Sequence, residues 1–147
     1  MHNPNELVEL FRTRGLRITP QRYQIFSALA GENRHTTAEA VWDEVRSQMP
    51  AISLKTVYET LHELVELGVL QRIDIGGGAT RFDTNGLDHH HLVCQRCGVI
   101  RDLHADYASL EIPPGEGQGF IVASAEVIFR GLCGECAPRD HAEAAVD

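Results

Sequence analysis

The sequence predicts an α/β protein of the α+β kind, with a helical first half that ends in a β-hairpin and a smaller second half built on short strands. Apolar residues recur at helical spacing in four segments before residue 68. An alternating apolar and polar run follows them directly, and from about Asn85 short β-like runs replace the helical spacing. We therefore expect two domains, residues 1–83 and 84–147.

Each of the four helical segments carries a start or a stop signal. The first covers about residues 5–14, the second 20–29, the third begins near residue 37, and the fourth runs from 53 to 67. Their boundary signals are hydroxyl-bearing N-caps and terminal glycines: Gly15, Thr19, Gly31, Thr36 or Thr37, Ser53 and Gly68.

The hairpin follows the fourth helix directly. Residues 69–75 alternate apolar with polar side chains, three glycines at 76–78 predict a turn, and residues 80–83 predict the returning strand. Three or four small helices that end in a hairpin are typical of a winged helix-turn-helix, in which the helix from Ser53 would lie in the DNA major groove. A small helical scaffold with no DNA role fits the helix spacing equally well.

Charge is distributed unevenly along the chain, which has a net charge of -8. Residues 1–82 hold 9 Lys/Arg against 10 Asp/Glu, whereas residues 83–147 hold 4 against 11. The acidity thus belongs to the second half. Arginines cluster in the first half, at positions 12, 14, 17 and 22, as phosphate contacts require. The net charge therefore does not exclude nucleic acid as a partner.

Four cysteines in two Cys-x-x-Cys pairs dominate the second half: Cys94, Cys97, Cys133 and Cys136. Two such pairs complete a tetrahedral zinc site with no open position, which is structural rather than catalytic. Two disulfides would need an oxidising compartment, and the first ten residues lack the features of an export signal. A thioredoxin-like redox pair would be expected singly. Zinc is the preferred interpretation.

Strands are predicted at 90–94, 99–103 and along the apolar run 120–129, with a Gly- and Pro-rich loop at 112–119. No apolar run approaches the roughly 20 residues that span a bilayer, so we expect a soluble, cytoplasmic protein without a membrane partner. In a strand, His89 and His91 point to one face and His90 to the other. This pair suits a second, harder metal such as iron, manganese or zinc.

Four sequence motifs together resemble the ferric uptake regulator (Fur) family: LRITPQR at 16–22, SLKTVY at 53–58, DHHHLVCQRCG at 88–98 and GLCGEC at 131–136. The resemblance covers the chain from Leu7 to Cys136. It implies a homodimeric, metal-dependent transcriptional repressor that binds double-stranded operator DNA. Its parts would be a winged helix-turn-helix domain, a hinge near Asp83, and a small α/β dimerisation domain with a four-cysteine Zn²⁺ site.

The resemblance also implies a regulatory metal site whose ligands come from both halves of the chain. Matched position by position, the ligands are His35, Asp83, His89, His91 and Asp102. Such a metal would fix the relative pose of the two domains, so that metal and operator become coupled ligands. His90, His104 and Asp106 are candidates for an additional site, although Asp88, Ser109 and Ala125 depart from the pattern expected there.

Asp83 indicates the branch of the family. Iron-responsive members tend to carry Glu at this point, and the peroxide-sensing PerR branch carries Asp. Three nitrogens and two carboxylates suit Fe(II) or Mn(II). The resemblance to PerR implies that peroxide is reduced at Fe(II) and oxidises His35 or His89. Protein loaded with Mn(II) would repress transcription without reacting with peroxide. The alternative is an iron- or zinc-responsive repressor of metal-uptake genes.

Seven residues are the expected DNA contacts: Lys55, Thr56 and Tyr58 on the fourth helix, Arg17 and Arg22 near the second, and Arg72 and Arg81 on the wing. Tyr58 is alternatively a core residue. Glu59 departs from the Arg or Asn often found in relatives, which puts the operator preference in doubt. A zinc enzyme is the competing class, but four cysteines leave no open zinc position. A zinc-ribbon interaction module without DNA binding is the third interpretation.

Overall fold

A computed structural model describes residues 3–31, 34–75, 78–105 and 110–138. It contains four helices, α1 (Pro4–Thr13), α2 (Pro20–Leu29), α3 (Ala38–Arg46) and α4 (Leu54–Glu66). Its six strands are β1 (His35–Thr36), β2 (Gln71–Ile73), β3 (Arg81–Asp83), β4 (His90–Cys94), β5 (Ile100–Leu103) and β6 (Ile128–Gly131). The α+β prediction is confirmed. The chain forms two compact units, Met1–Gly86 and Leu87–Asp147.

Local signals set the helix boundaries. The side chain of Asn3 accepts hydrogen bonds from the first turn of α1, and the backbone N–H of Asn3 donates to the carboxylate of Glu6. Single hydroxyl caps begin the other three helices, at Thr19, Thr37 and Ser53. Gly68 follows α4 with a φ of 73°, a conformation that glycine adopts without strain.

The first unit is organised around one apolar core. Phe11, Phe26 and Phe82 are fully buried, together with Leu61 and Leu64 of α4. Each of the four helices and strand β3 therefore contributes one face to the same cluster. Among the described residues, no helix is long and apolar enough to cross a membrane.

The sheet of the first unit contains one strand more than the predicted hairpin. Its order is β1-β3-β2, with antiparallel pairing throughout. Strand β1 consists of two residues between α2 and α3, so its hydrophobic pattern is too short to detect in the sequence. Gly76 and Gly77, two of the three glycines of the predicted turn, lie outside the described residues.

The second unit contains a sheet of order β5-β4-β6, in which β4 is antiparallel to β5 and parallel to β6. The prediction of a strand along 120–129 was wrong in extent, because only the part from Ile128 is a strand. The register places Ile128 beside His91, at the start of β4, so earlier residues lie beyond the end of their partner strand. Phe120 and Ile121 are accordingly exposed, at 82% and 97%.

Candidate metal centres and DNA-binding surface

The four cysteines come together at one end of the second sheet. Cys94 ends β4, Cys97 lies in the tight turn that follows, and Cys133 and Cys136 lie in a turn after β6. Each residue can place a sulfur within 4.8 Å of the other three. The Sγ atoms of Cys97 and Cys133 are 3.7 Å apart. Ligands at about 2.3 Å from a tetrahedral zinc lie roughly 3.8 Å apart, so the cluster has the dimensions of a zinc site.

All four thiols are free, and their electrostatics favour a cation. The backbone N–H groups of Cys97 and Cys133 lower the pKa of Cys94 to about 6. The neighbouring side chain of Cys133 raises the pKa of Cys136 to about 12. Cys94 thus carries negative charge at neutral pH, and packing a further thiolate against it is unfavourable. A divalent cation would remove that repulsion and release the remaining protons.

His35 and Asp83 form a cross-strand pair in the first unit. They are register partners on β1 and β3, so their side chains project from the same face of the sheet. The Nε2 atom of His35 lies 3.6 Å from Oδ2 of Asp83, and the other carboxylate oxygen accepts the N–H of Asn85 at 2.8 Å. Asp83 is fully buried. A buried carboxylate beside an imidazole is a suitable half-site for a cation.

A second cross-strand pair lies in the other unit. His91 of β4 is the register partner of Asp102 of β5, and His89 lies just before β4. The rings of His89 and His91 are 4.4 Å apart, and Nε2 of His89 lies 3.5 Å from Oδ1 of Asp102. Two donors that share an ion at about 2.1 Å lie roughly 3.0 to 3.5 Å apart. His89 and His91 are buried and His90 is more exposed, as the alternation of a strand predicts.

Two contacts that the sequence did not reveal set the tautomers of these histidines. Nδ1 of His89 lies 2.6 Å from the carbonyl oxygen of Leu87, and Nδ1 of His91 lies 2.7 Å from Oε1 of Glu126. A carbonyl oxygen and a carboxylate can only accept, so Nδ1 carries the proton in both rings. The lone pair is then on Nε2, the atom that a metal would bind. The one visible signal for Glu126 was an acid inside an apolar run.

Two of the three candidates for the additional metal site, His90 and His104, have contacts in the second unit. His90 accepts the N–H of Val127 at Nδ1 over 3.1 Å, and the ring of His104 lies 5.7 Å from that of His89. Asp106 lies outside the described residues. His90 thus has a structural partner, and the grouping of these three residues stays a prediction.

Among the predicted DNA contacts, Lys55 and Thr56 lie in the first turn of α4. The Lys55 side chain is 83% exposed and pairs loosely with Glu59, with 3.6 Å between Nζ and Oε1. The N–H of Thr56 donates to the Ser53 cap, and the two hydroxyl groups lie 2.9 Å apart. Lys55 is therefore accessible to a ligand, and Thr56 stabilises the start of the helix.

Tyr58 is partly committed to the fold. Its hydroxyl donates to Oε1 of Glu39 at 2.8 Å, and this bond raises the pKa of Tyr58 above its ordinary value. Its ring packs against the core of the first unit. The core interpretation of Tyr58 thus has structural support, and its hydroxyl could donate to a base only after leaving Glu39.

The four predicted arginine contacts differ in environment. Arg17 and Arg72 are exposed and Arg81 is half-buried on β3. The guanidinium of Arg22 lies 2.6 Å from Glu63, donates to the carbonyl of Arg17 and stacks over the ring of Phe11. Because these contacts join α2 to α1 and α4, Arg22 stabilises the helix packing, and a phosphate contact by Arg22 stays a prediction.

The chain is similar to known proteins over most of its length. The model of the ferric uptake regulator family matches residues 13–127. The transcriptional regulator FurA of Mycobacterium tuberculosis is 35% identical over 139 residues, 92% of each chain. The peroxide operon regulator of Bacillus subtilis is 31% identical, over 95% of this chain and 97% of its own. The structure of the Campylobacter jejuni peroxide stress regulator superposes with a TM-score of 0.65 at 30% identity, over 89% of this chain and 99% of that one.

Proposed function

Because this chain belongs to the ferric uptake regulator family, we propose that it is a metal-dependent, DNA-binding transcriptional repressor that responds to peroxide. The observation that carries the proposal is a pair of His–Asp half-sites, one around the buried Asp83 on the β1-β3-β2 sheet and one around the buried His91 on the second sheet. Two relatives are named as peroxide regulators, which favours the peroxide response.

The structural metal in this proposal is Zn²⁺, bound by Cys94, Cys97, Cys133 and Cys136. Support comes from the spacing of the sulfur atoms and from the low pKa of Cys94. With four thiolates the site would be closed, so zinc would hold β4 to the turn after β6 and would not catalyse a reaction.

The regulatory metal would be Fe(II) or Mn(II), bound by His35, Asp83, His89, His91 and Asp102. Three imidazole nitrogens and two carboxylates suit these ions. Each unit supplies only part of this set, two donors from the first unit and three from the second. A metal that needs ligands from both units would select one relative arrangement of the units, and an operator that fits the same arrangement would be bound more tightly.

The peroxide response would use the same histidines. Fe(II), if bound by these residues, would supply the chemistry that activates the oxygen–oxygen bond of peroxide, and the imidazole that becomes oxidised would supply the two electrons. One oxygen atom would be transferred to an imidazole carbon of His35 or His89, and the other would leave as water. An oxidised imidazole is a poorer ligand, so the metal would be released and repression lost.

DNA binding would involve the winged helix-turn-helix of the first unit, with α4 in the major groove. Lys55, Thr56 and Tyr58 are the proposed contacts from α4, Arg17 and Arg22 would contact phosphates, and Arg72 and Arg81 would reach DNA from the wing. Glu59 lowers the net positive charge near Lys55. Its carboxylate can accept a hydrogen bond from cytosine N4, so we propose that it favours operators with a cytosine at that point.

The homodimer would form through the second unit, and its sheet offers an apolar face. Leu92 and Phe129 are register partners, 43% and 44% exposed, and Leu132 nearby is 50% exposed. Covering such a face with a second copy removes apolar surface from water. Sedimentation equilibrium should give a dimer, and a monomer at micromolar concentration would contradict this part. We also propose a cytoplasmic location, because a zinc site of this kind needs its four thiols reduced.

The decisive experiment combines metal, DNA and peroxide. Protein purified without oxygen is loaded with Fe(II), Mn(II) or Zn(II), and operator binding is measured before and after one equivalent of peroxide. We expect binding to be lost only with Fe(II), with a gain of one oxygen atom on peptides that contain His35 or His89. Metal-dependent binding without that mass gain would remove the peroxide response and favour the alternative, a repressor of metal-uptake genes that responds to iron or zinc.

A further inference from the structure

Glu126 has a defined contact that the proposed function does not use. Its Oε1 atom lies 2.7 Å from Nδ1 of His91, whose side chain is fully buried, whereas the Glu126 side chain is 39% exposed. Glu126 immediately precedes Val127, where hydrogen bonding to β4 begins. Nothing in the five-residue ligand set requires an acid at this point.

The backbone fixes Glu126 in place. The N–H of His91 donates to the carbonyl of Val127 at 3.0 Å, and the N–H of Val127 donates to Nδ1 of His90 at 3.1 Å. These bonds hold Val127 from both sides, so the residue before it stays beside the ring of His91. The strand pairing therefore places the backbone of Glu126 within reach of His91, and the Glu126 side chain makes the 2.7 Å contact from that position.

We propose that Glu126 is a positioning residue of the regulatory metal site, and this inference rests on the proposed function. Its carboxylate accepts the Nδ1–H bond of His91, which selects the tautomer with a lone pair on Nε2 and fixes the plane of the ring. A carboxylate behind a ligating histidine also makes the imidazole a stronger donor. Glu126 acts through His91 and does not touch the metal.

The size of the effect follows from this contact. Loss of an outer carboxylate typically weakens metal binding 10- to 100-fold. Because Glu126 is partly exposed, water can replace its oxygen in part, and we expect about tenfold. Glu126→Gln keeps an oxygen that can accept the bond but removes the charge, so its affinity should lie between those of the wild type and Glu126→Ala.

The test measures Mn(II) affinity by competition with a fluorescent chelator, on full-length protein whose cysteine site is zinc-loaded. Glu116→Ala serves as the matched control, because Glu116 is an exposed acid in a turn of the same unit. Long-range nitrogen NMR of the ring of His91, without Mn(II), reports the tautomer directly. We expect the Nδ1–H form in wild-type protein and a shift towards the Nε2–H form in Glu126→Ala.

The outcomes separate this inference from the proposed function. Loss of affinity in the order wild type, Glu126→Gln, Glu126→Ala, with zinc content and circular dichroism unchanged, supports a positioning role. Wild-type affinity and tautomer in Glu126→Ala overturn it, while the proposed function survives if His91→Ala abolishes binding. If His91→Ala binds Mn(II) as the wild type does, both are wrong.

Discussion

Replacing Cys133 and Cys136 together by serine should destabilise the second unit and leave the first intact. The double variant removes both ligands on one side of the cluster, so no metal can connect the turn after β4 to the turn after β6. In the described part of the second unit, β6 pairs only with β4, over four residues. The segment between β5 and β6 includes the exposed residues Phe120 and Ile121, which contribute little to a core.

The magnitude follows from the length of chain that zinc would close. Cys97 and Cys133 are 36 positions apart. Cross-linking a loop of that length lowers the entropy of the unfolded chain by an amount equivalent to roughly 4 kcal/mol at 25 °C. Zinc–thiolate bonding adds to this, so the loss in the free energy of unfolding of the second unit should be at least about 4 kcal/mol.

Two probes distinguish the units in one denaturant titration. Trp42 is the only tryptophan, and its ring packs against the core of the first unit, so its fluorescence reports that unit alone. Hydrogen exchange of the amides of His91 and Gln95, which donate to Val127 and Gly131, reports the contact between β4 and β6. Wild-type protein treated with a zinc chelator should behave as the double variant does. Unchanged protection of both amides would refute the reasoning.

Four further results are expected. In zinc-free protein, the Cβ chemical shift of Cys94 should report ionisation at about pH 6 and that of Cys136 only near pH 12; equal titration profiles would contradict their different pKa values. Since the pKa of Cys94 is lowered from 9.0, its ionised form stabilises the zinc-free fold at high pH, and this contribution should disappear as the pH falls through about 6. Arg22→Ala should lower the unfolding free energy of the first unit by about 2 kcal/mol through the lost contact with Glu63, and an unchanged Trp42 transition would argue against that contact. Lys55→Ala should weaken operator binding about tenfold in a low-salt gel shift without changing stability; unchanged affinity would remove Lys55 from the DNA surface.

Local signals made the helices predictable. The bounds of α2 agree with those expected from Thr19 and Pro20, and α4 begins after the Ser53 cap as predicted. The prediction of a strand along residues 120–129 was wrong because apolar composition indicates only each residue's own preference for extended structure. The length of a strand also depends on how far its partner strand extends. Because β4 begins at His90 and its next residue, His91, pairs with Ile128, residues well before Ile128 have no partner in β4, and β6 begins at Ile128.

The candidate ligands could be named from spacing and resemblance, but their supporting contacts could not. His35 and Asp83 are 48 positions apart, and only the pairing of β1 with β3 shows that they are neighbours. Glu126 becomes relevant only once β6 lies parallel to β4. Contacts of this kind depend on strand register, and a sequence pattern with period two does not specify which residues of two strands face each other.

The cysteine cluster and the histidines of the second unit are connected through that same strand register. His91 and Cys94 lie on one strand, three residues apart, and the partner segment runs from Glu126 to Cys133. A shift of β6 by one residue would turn its side chains to the opposite face and carry Glu126 away from His91. Zinc at the cysteines would oppose such a shift, because Cys94 is paired with Gly131, two residues before Cys133. A structural metal that catalyses nothing would thus still determine how well His91 is presented to the regulatory metal.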